Sequence, residues 1–168
     1  KNQKFSIDGD ELKIDGAQPV LWSSIQEDNV NLKVYGYAPY IDGSKDNISI
    51  SNSTAAPTIT YKVPSNIEEQ IDIIADTTVV ASDYRKSIKL DFDHILTAIR
   101  FRMGFSAKVK SVTLSGIYNK GDYVIGKGWS NLTKVTDEVG YENEYSIRFD
   151  GGKDMTQGGI IGTDNSTM

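Results

Sequence analysis

The chain has 168 residues, a formal net charge of −5 and a pI of about 4.9; its length suits one domain, or one domain plus an appendage, and a chain this size buries roughly 70% of its unfolded surface. With no cysteine and one histidine, it excludes a disulfide framework, a thiolate metal site and a site built from several imidazoles. The acidic balance speaks against a nucleic-acid surface, and no apolar run approaches the roughly 20 residues that carry a helix across a bilayer.

Residues 4–16 read as a hairpin. Phe5 and Ile7 alternate with polar residues, as do Leu12 and Ile14, and Asp8-Gly9-Asp10 lies between them. The Asp-x-Asp spacing also suits a calcium loop, but the other oxygen ligands and the distal Glu of that pattern are missing. A turn is therefore expected. Residues 18–30 are irregular, with Trp22 as a packing anchor. Residues 31–40, NLKVYGYAPY, form a strand that Pro39 ends or puts at an edge. Residues 41–57 are polar and rich in Ser, Asn and Gly, a long surface loop with a short edge strand at 48–50. Residues 58–63 form a strand with Ile59, Tyr61 and Val63 on one face. Ser65 and Glu68 fit a capping box, which predicts one helical turn over 66–70. Residues 76–85 are expected to connect into the next strand.

That strand, residues 87–103, organises the chain. Ile88, Leu90 and Phe92 alternate with Lys89, Asp91 and Asp93, the period of a strand with one buried face. Ile99, Phe101 and Met103 then alternate with Arg100 and Arg102, in the opposite parity. A straight strand exposes one of the two apolar sets. An extra residue between His94 and Ala98, as a bulge or helical turn, repairs the conflict. A bent strand, or two strands joined at a corner, is expected here, crossing from one sheet of a sandwich to the other. Leu90 and Phe92 are expected on the core face, and His94 shares it if the bulge lies after His94.

Residues 109–116 form a strand with Val112 and Leu114 on one face. Residues 117–123 follow, with a turn at Asn119-Lys120-Gly121. Trp129 falls in a Gly- and Ser-containing loop. Residues 144–150 alternate Tyr145, Ile147 and Phe149 against polar residues and make a last strand. Residues 151–168 are glycine-rich. No internal repeat is present. Many short strands with turn signals point to an all-β sandwich of about seven or more strands.

The pattern Leu90, Phe92, His94, Leu96, Ile99 and Phe101 resembles the central signature of the Bacteroidales fimbrillin-like family. Those proteins are major and minor fimbrial subunits and pilus-associated surface proteins. Two further stretches are similar to the family. Val63-Pro64 is followed by Gln70, Asp72 and Ala75, with Ile73-Ile74 where the family usually has Leu-Met. A valine-rich strand is followed by Gly116, Gly121 and Tyr123. The aromatic strand closing at Pro39 also fits, so the resemblance runs from about residue 22 to 162. It implies a transthyretin-like Greek-key β-sandwich over residues 1–168, the N-terminal domain of a longer protein with a second, smaller β-domain. It further implies a cell-surface protein, exported through the outer membrane as a lipoprotein precursor, trimmed near its N-terminus and polymerised with other pilus subunits by strand exchange. Asp76-Thr77-Thr78 resembles a short O-glycosylation motif of exported Bacteroidetes proteins, which makes Thr77 a candidate glycosylation site; the plainer reading is a polar turn.

Chemistry finds little support. His94 reads as a structural histidine near the bend. Asp91 and Asp93 share a strand face about 6.6–6.8 Å apart by strand rise, a spacing that suits a glycosidase pair but is commoner on a polar surface. No nucleophile elbow, phosphate loop or HExxH motif is present. No cofactor, metal or enzymatic activity is expected. Two functions stay open: a structural or accessory pilus subunit supporting adhesion through surface ligands, or a carbohydrate-binding sandwich. The second needs a planar aromatic row from Trp22, Tyr35, Tyr37, Tyr40, Tyr118, Tyr123 and Trp129. For the first, the last strand has no following partner, which leaves two readings: an open sheet edge filled by a segment outside this sequence or by a neighbouring molecule, or an edge already covered by the N-terminal hairpin of residues 5–14.

Overall fold

The computed structural model describes residues 3–8, 11–15, 31–51, 56–64, 66–80, 88–134 and 144–161. These residues form thirteen strands, all paired antiparallel, and one 3-10 turn. Gly9, Asp10, Trp22 and Ser65 lie outside the described residues.

β1 (Phe5–Asp8) and β2 (Glu11–Ile14) make the expected hairpin, with Phe5 opposite Ile14 and Asp8 opposite Glu11. β3 (Leu32–Ala38) ends at Pro39. β4 (Ile48–Ile50) and β5 (Thr58–Lys62) pair as neighbours. The helical turn is a 3-10 turn, Ile67–Glu69. Its start is capped by Asn66, whose side-chain oxygen accepts the Glu68 N–H at 3.1 Å.

Three stretches differ from the sequence reading. β6 (Ile74–Val80) runs where a connection was expected. Its Thr77, Thr78, Val79 and Val80 are β-branched and suit a pleated surface better than a turn. β10 (Lys120–Val124) and β11 (Gly128–Thr133) form a hairpin. Lys120 and Gly121 are thus within a strand, as is Trp129, and the turn lies instead at residues 125–127. Gly126 has a φ of 80° there and Gly128 a φ of 103°, values that glycine adopts without steric cost. β12 (Glu144–Met155) runs past residue 150, and β13 (Ile160–Ile161) follows it. The last expected strand therefore does have successors and partners: β12 pairs with β9 (Ala107–Ser115), and β13 with β8 (Phe101–Arg102).

The two larger sheets have the orders β11-β10-β5-β4 and β3-β6-β7, where β7 is Asp93–His94. They share one apolar cluster. Ile48, Ile59 and Tyr61 enter it from the first sheet and Ala75 from the second, joined by Ile41, Ile73, Ile95 and Ile125. Tyr35, Tyr37, Tyr123 and Trp129 pack against it. Two antiparallel sheets closing on one core is the arrangement of a β-sandwich.

The organising stretch is two short strands, not one long one. β7 belongs to the three-stranded sheet and β8 to a separate pair. The parity conflict is resolved by wrapping. Tyr35 and Tyr37 face the core, so Gly36 opens on the opposite face of β3. A Cβ on Gly36 would lie 2.6 Å from Leu90 Cδ1 and 2.8 Å from Phe92 Cζ. Leu90 and Phe92 therefore cover the outer face of this sheet. The Asp91 N–H donates to Asp76 Oδ2 at 2.7 Å on the way. The chain then pairs with the edge of β6, and Ile95 turns into the core at 9% exposure. The expected core face of Leu90, Phe92 and His94 is thus corrected: Phe92 is 41% exposed, and His94 is exposed at the sheet edge.

Candidate functional site

The side chains singled out in the sequence fall into three groups. The first surrounds Gln70. Its amide nitrogen donates to the Pro64 carbonyl at 3.1 Å and to the Tyr145 hydroxyl. Tyr145 in turn donates to the Pro64 carbonyl. One phenol thus fastens β12 to the segment between β5 and β6. The Tyr61 hydroxyl accepts the Ile71 N–H at 3.3 Å close by. Burial pushes the Tyr145 hydroxyl up to about 12, with the neighbouring Tyr61 adding to it, and burial also raises Tyr61.

The second group surrounds His94. Its Nδ1 lies 2.6 Å from Asp72 Oδ2, at the edge of the three-stranded sheet. The Ile95 N–H donates to the Ile73 carbonyl at 2.9 Å, which continues the β6–β7 pairing. Trp129 Nε1 donates to the Ile95 carbonyl at 2.7 Å and so links β11 of the other sheet to this segment. Leu96 packs at the rim of the core.

The third group holds the glycines and the second apolar set. Gly116 has a φ of 78°, which favours glycine. Gly121 is buried under β11, where a Cβ would lie 2.7 Å from Leu132 Cδ2 and 3.1 Å from Trp129 Cε3. Phe101 is half-buried opposite Ile161, whereas Ile99 is 44% exposed.

Sequence reasoning missed Gly36 and the tie from Tyr145 to Gln70. The signal for Gly36 was present: a glycine between two tyrosines in a strand marks a place where another segment approaches closely. It also missed a polar staple on the four-stranded sheet. Asp122 accepts from Thr60 Oγ1 at 2.6 Å and from Asn131 Nδ2 at 2.7 Å. These bonds, Thr60 first, hold the Asp122 carboxyl below its usual value.

Thr77 does not lie in a turn. It sits in the middle of β6, half-buried, and its hydroxyl donates to the Val34 carbonyl at 3.0 Å. Asp91 and Asp93 are exposed. Asp91 pairs with Lys89 at 2.7 Å, an ordinary surface contact. Among the described residues, no group of three or more His, Cys, Asp or Glu side chains gathers to hold a metal. Among the described residues the candidate aromatics do not make one exposed row. Tyr35, Tyr37, Tyr123 and Trp129 are partly buried against the core, and Tyr123 meets Trp129 edge to face at 5.3 Å. Tyr40 and Tyr118 are exposed, each beneath a lysine, Lys4 and Lys134.

What the arrangement offers is a sandwich with an appended ribbon, β9–β12, tied on through Tyr145. The family described as fimbrillin-like matches residues 1–162. The chain belongs to the fimbrillin-like family. No curated protein and no solved structure matches it. In this fimbrillin-like chain the family-resembling residues Gln70, Asp72 and His94 flank one short strand start, residues 70–75, and fix it to β12 on one side and to β7 on the other. No described helix is long and apolar enough to cross a membrane.

Proposed function

We propose that this chain is a structural subunit or accessory protein of a bacterial cell-surface pilus, assembling by β-strand donation and supporting adhesion. Family membership carries the reading. The fold adds a physical reason. A sheet of two strands leaves backbone N–H and C=O groups along its outer edges, and such edges take a strand from another chain. The same reading makes the chain a non-enzymatic protein, with transthyretin-like Greek-key connectivity in a single β-sandwich domain. It has the precursor exported as a lipoprotein and the sandwich followed by a second β-domain in the whole protein. The carbohydrate-binding alternative is disfavoured, because four of its seven aromatic residues pack, partly buried, against the core.

Immunogold electron microscopy of cells that make the protein tests this. Label along or at the ends of surface filaments supports the reading. Label confined to the cell interior, or filaments that persist unlabelled, sinks it.

A further inference from the structure

Residues 94–121 contain no Asp or Glu, yet carry Arg100, Arg102, Lys108, Lys110 and Lys120. All 23 acidic residues lie elsewhere, with 13 of the 18 Lys and Arg residues, so the remainder stands at −10 against +5 here. Lys108 and Lys110 are exposed on β9, and Arg100 and Arg102 are exposed just before it. Among the described residues none of these four makes an ion pair, although Asp154 stands opposite Lys108 in the ladder.

Among the described residues β9 is also an open edge. Its ladder partner is β12 on one side. On the other side, the backbone of residues 108–114 has no hydrogen-bonded partner among the described residues. β12 does not offer an equivalent edge. Its residues 149–152 bulge out opposite Lys110, with φ of 71° at Gly151 and 79° at Gly152. Bulges of this kind interrupt the regular spacing a further strand needs. β9 runs nine residues without glycine or proline.

We propose that β9, presenting Lys108 and Lys110, is the edge on which an acidic extended segment of a second copy of this chain adds as a third strand. The inference rests on the strand-donation reading and deepens it by naming the acceptor strand and the charge of the donor. The occupant follows from charge. A chain with a −10 remainder and a +5 segment is complementary to itself in a head-to-tail contact, which closes into rings or extends into filaments.

The test is amide hydrogen exchange of the whole chain over a concentration series at low salt, with sedimentation to follow association. Concentration-dependent protection of residues 108–114 is expected. The double variant Lys108→Glu/Lys110→Glu is expected to weaken association by about tenfold or more, and raising salt to do the same. The exposed control pair Lys45→Glu/Lys127→Glu is expected to change it by less than about twofold. Both pairs are solvent-exposed, and unchanged circular dichroism verifies folding. Association that ignores the Lys108→Glu/Lys110→Glu change and leaves 108–114 exchanging freely overturns this surface but leaves strand donation standing. No association at any concentration overturns both. Protection of 108–114 by polyglutamate but not by the chain itself overturns the second-copy assignment.

Discussion

Asp72 Oδ2 lies 2.6 Å from His94 Nδ1, joining two sequence motifs that sit more than twenty residues apart. The pair closes the edge where β7 meets β6, with Ile74 opposite His94. Both side chains are more than a third exposed, so solvent screens the attraction. We expect His94→Ala and Asp72→Asn each to lower stability by less than about 1 kcal/mol, with a coupling of about 0.2–1 kcal/mol in a double-mutant cycle. Urea melts of the four proteins measure it. A coupling of several kcal/mol would show a buried, mechanistic pair instead.

The sandwich core lies at Ile59, Ile73 and Tyr61, not at Phe92. Ile59 and Ile73 are fully buried. Ile59→Ala and Ile73→Ala should each cost about 2–5 kcal/mol. Phe92→Ala should cost less than a buried aromatic does, under about 3 kcal/mol, and Ile99→Ala should stay within about 0.5 kcal/mol. Equal losses at Ile59 and Ile99 would contradict the burial pattern.

Gly36 makes room for Leu90 and Phe92 on the outer face. Gly36→Ala should destabilise by about 1–3 kcal/mol, because the added carbon overpacks the contact. Adding Phe92→Ala should recover part of that loss, since the two sites share the same space. Simple additivity in thermal melts would mean that the two residues do not touch.

Much of this was readable in the residues. The alternation of Ile59 and Tyr61 gave β5, and the parity reversal between Phe92 and Ile99 showed that the chain changes sides. What periodicity lacked was the identity of the inner set. Leu90 and Phe92 are apolar because they cover the outer face of a sheet, and outer and inner faces look alike in a strand pattern. Asp76-Thr77-Thr78 read as a turn because Asp favours turns. In the fold, β-branched Thr and Val prevail once β3 supplies a ladder. The hairpin of β10 and β11 was hidden because Asn119-Lys120-Gly121 is the stronger local turn signal. Pairing of β10 with β5 overrides it. The Gln70 and Asp72 contacts join segments far apart in sequence, which no local pattern reveals.

Tyr145 predicts an alkaline limit to stability. Its folded value, about 12, lies above the ordinary value of 10.0. A raised value favours the folded state fully below about pH 10. That contribution is lost as pH rises through 12. Tyr145→Phe keeps the ring but removes the titrating group and the bond to Pro64. The variant should be less stable at pH 7 and should lose less between pH 9 and about 12 than the parent. Parallel melting curves across that range would contradict the assignment.

The central claim is that this fimbrillin-like chain is a pilus subunit joined to its neighbours through a donated strand. Electron cryomicroscopy of filaments isolated from cells that make the protein tests it most directly. The account predicts subunits with this sandwich in which a strand from the next subunit is hydrogen-bonded into a sheet edge. Filaments whose sheets are completed by each subunit's own residues alone, or filaments that lack this chain, would contradict it.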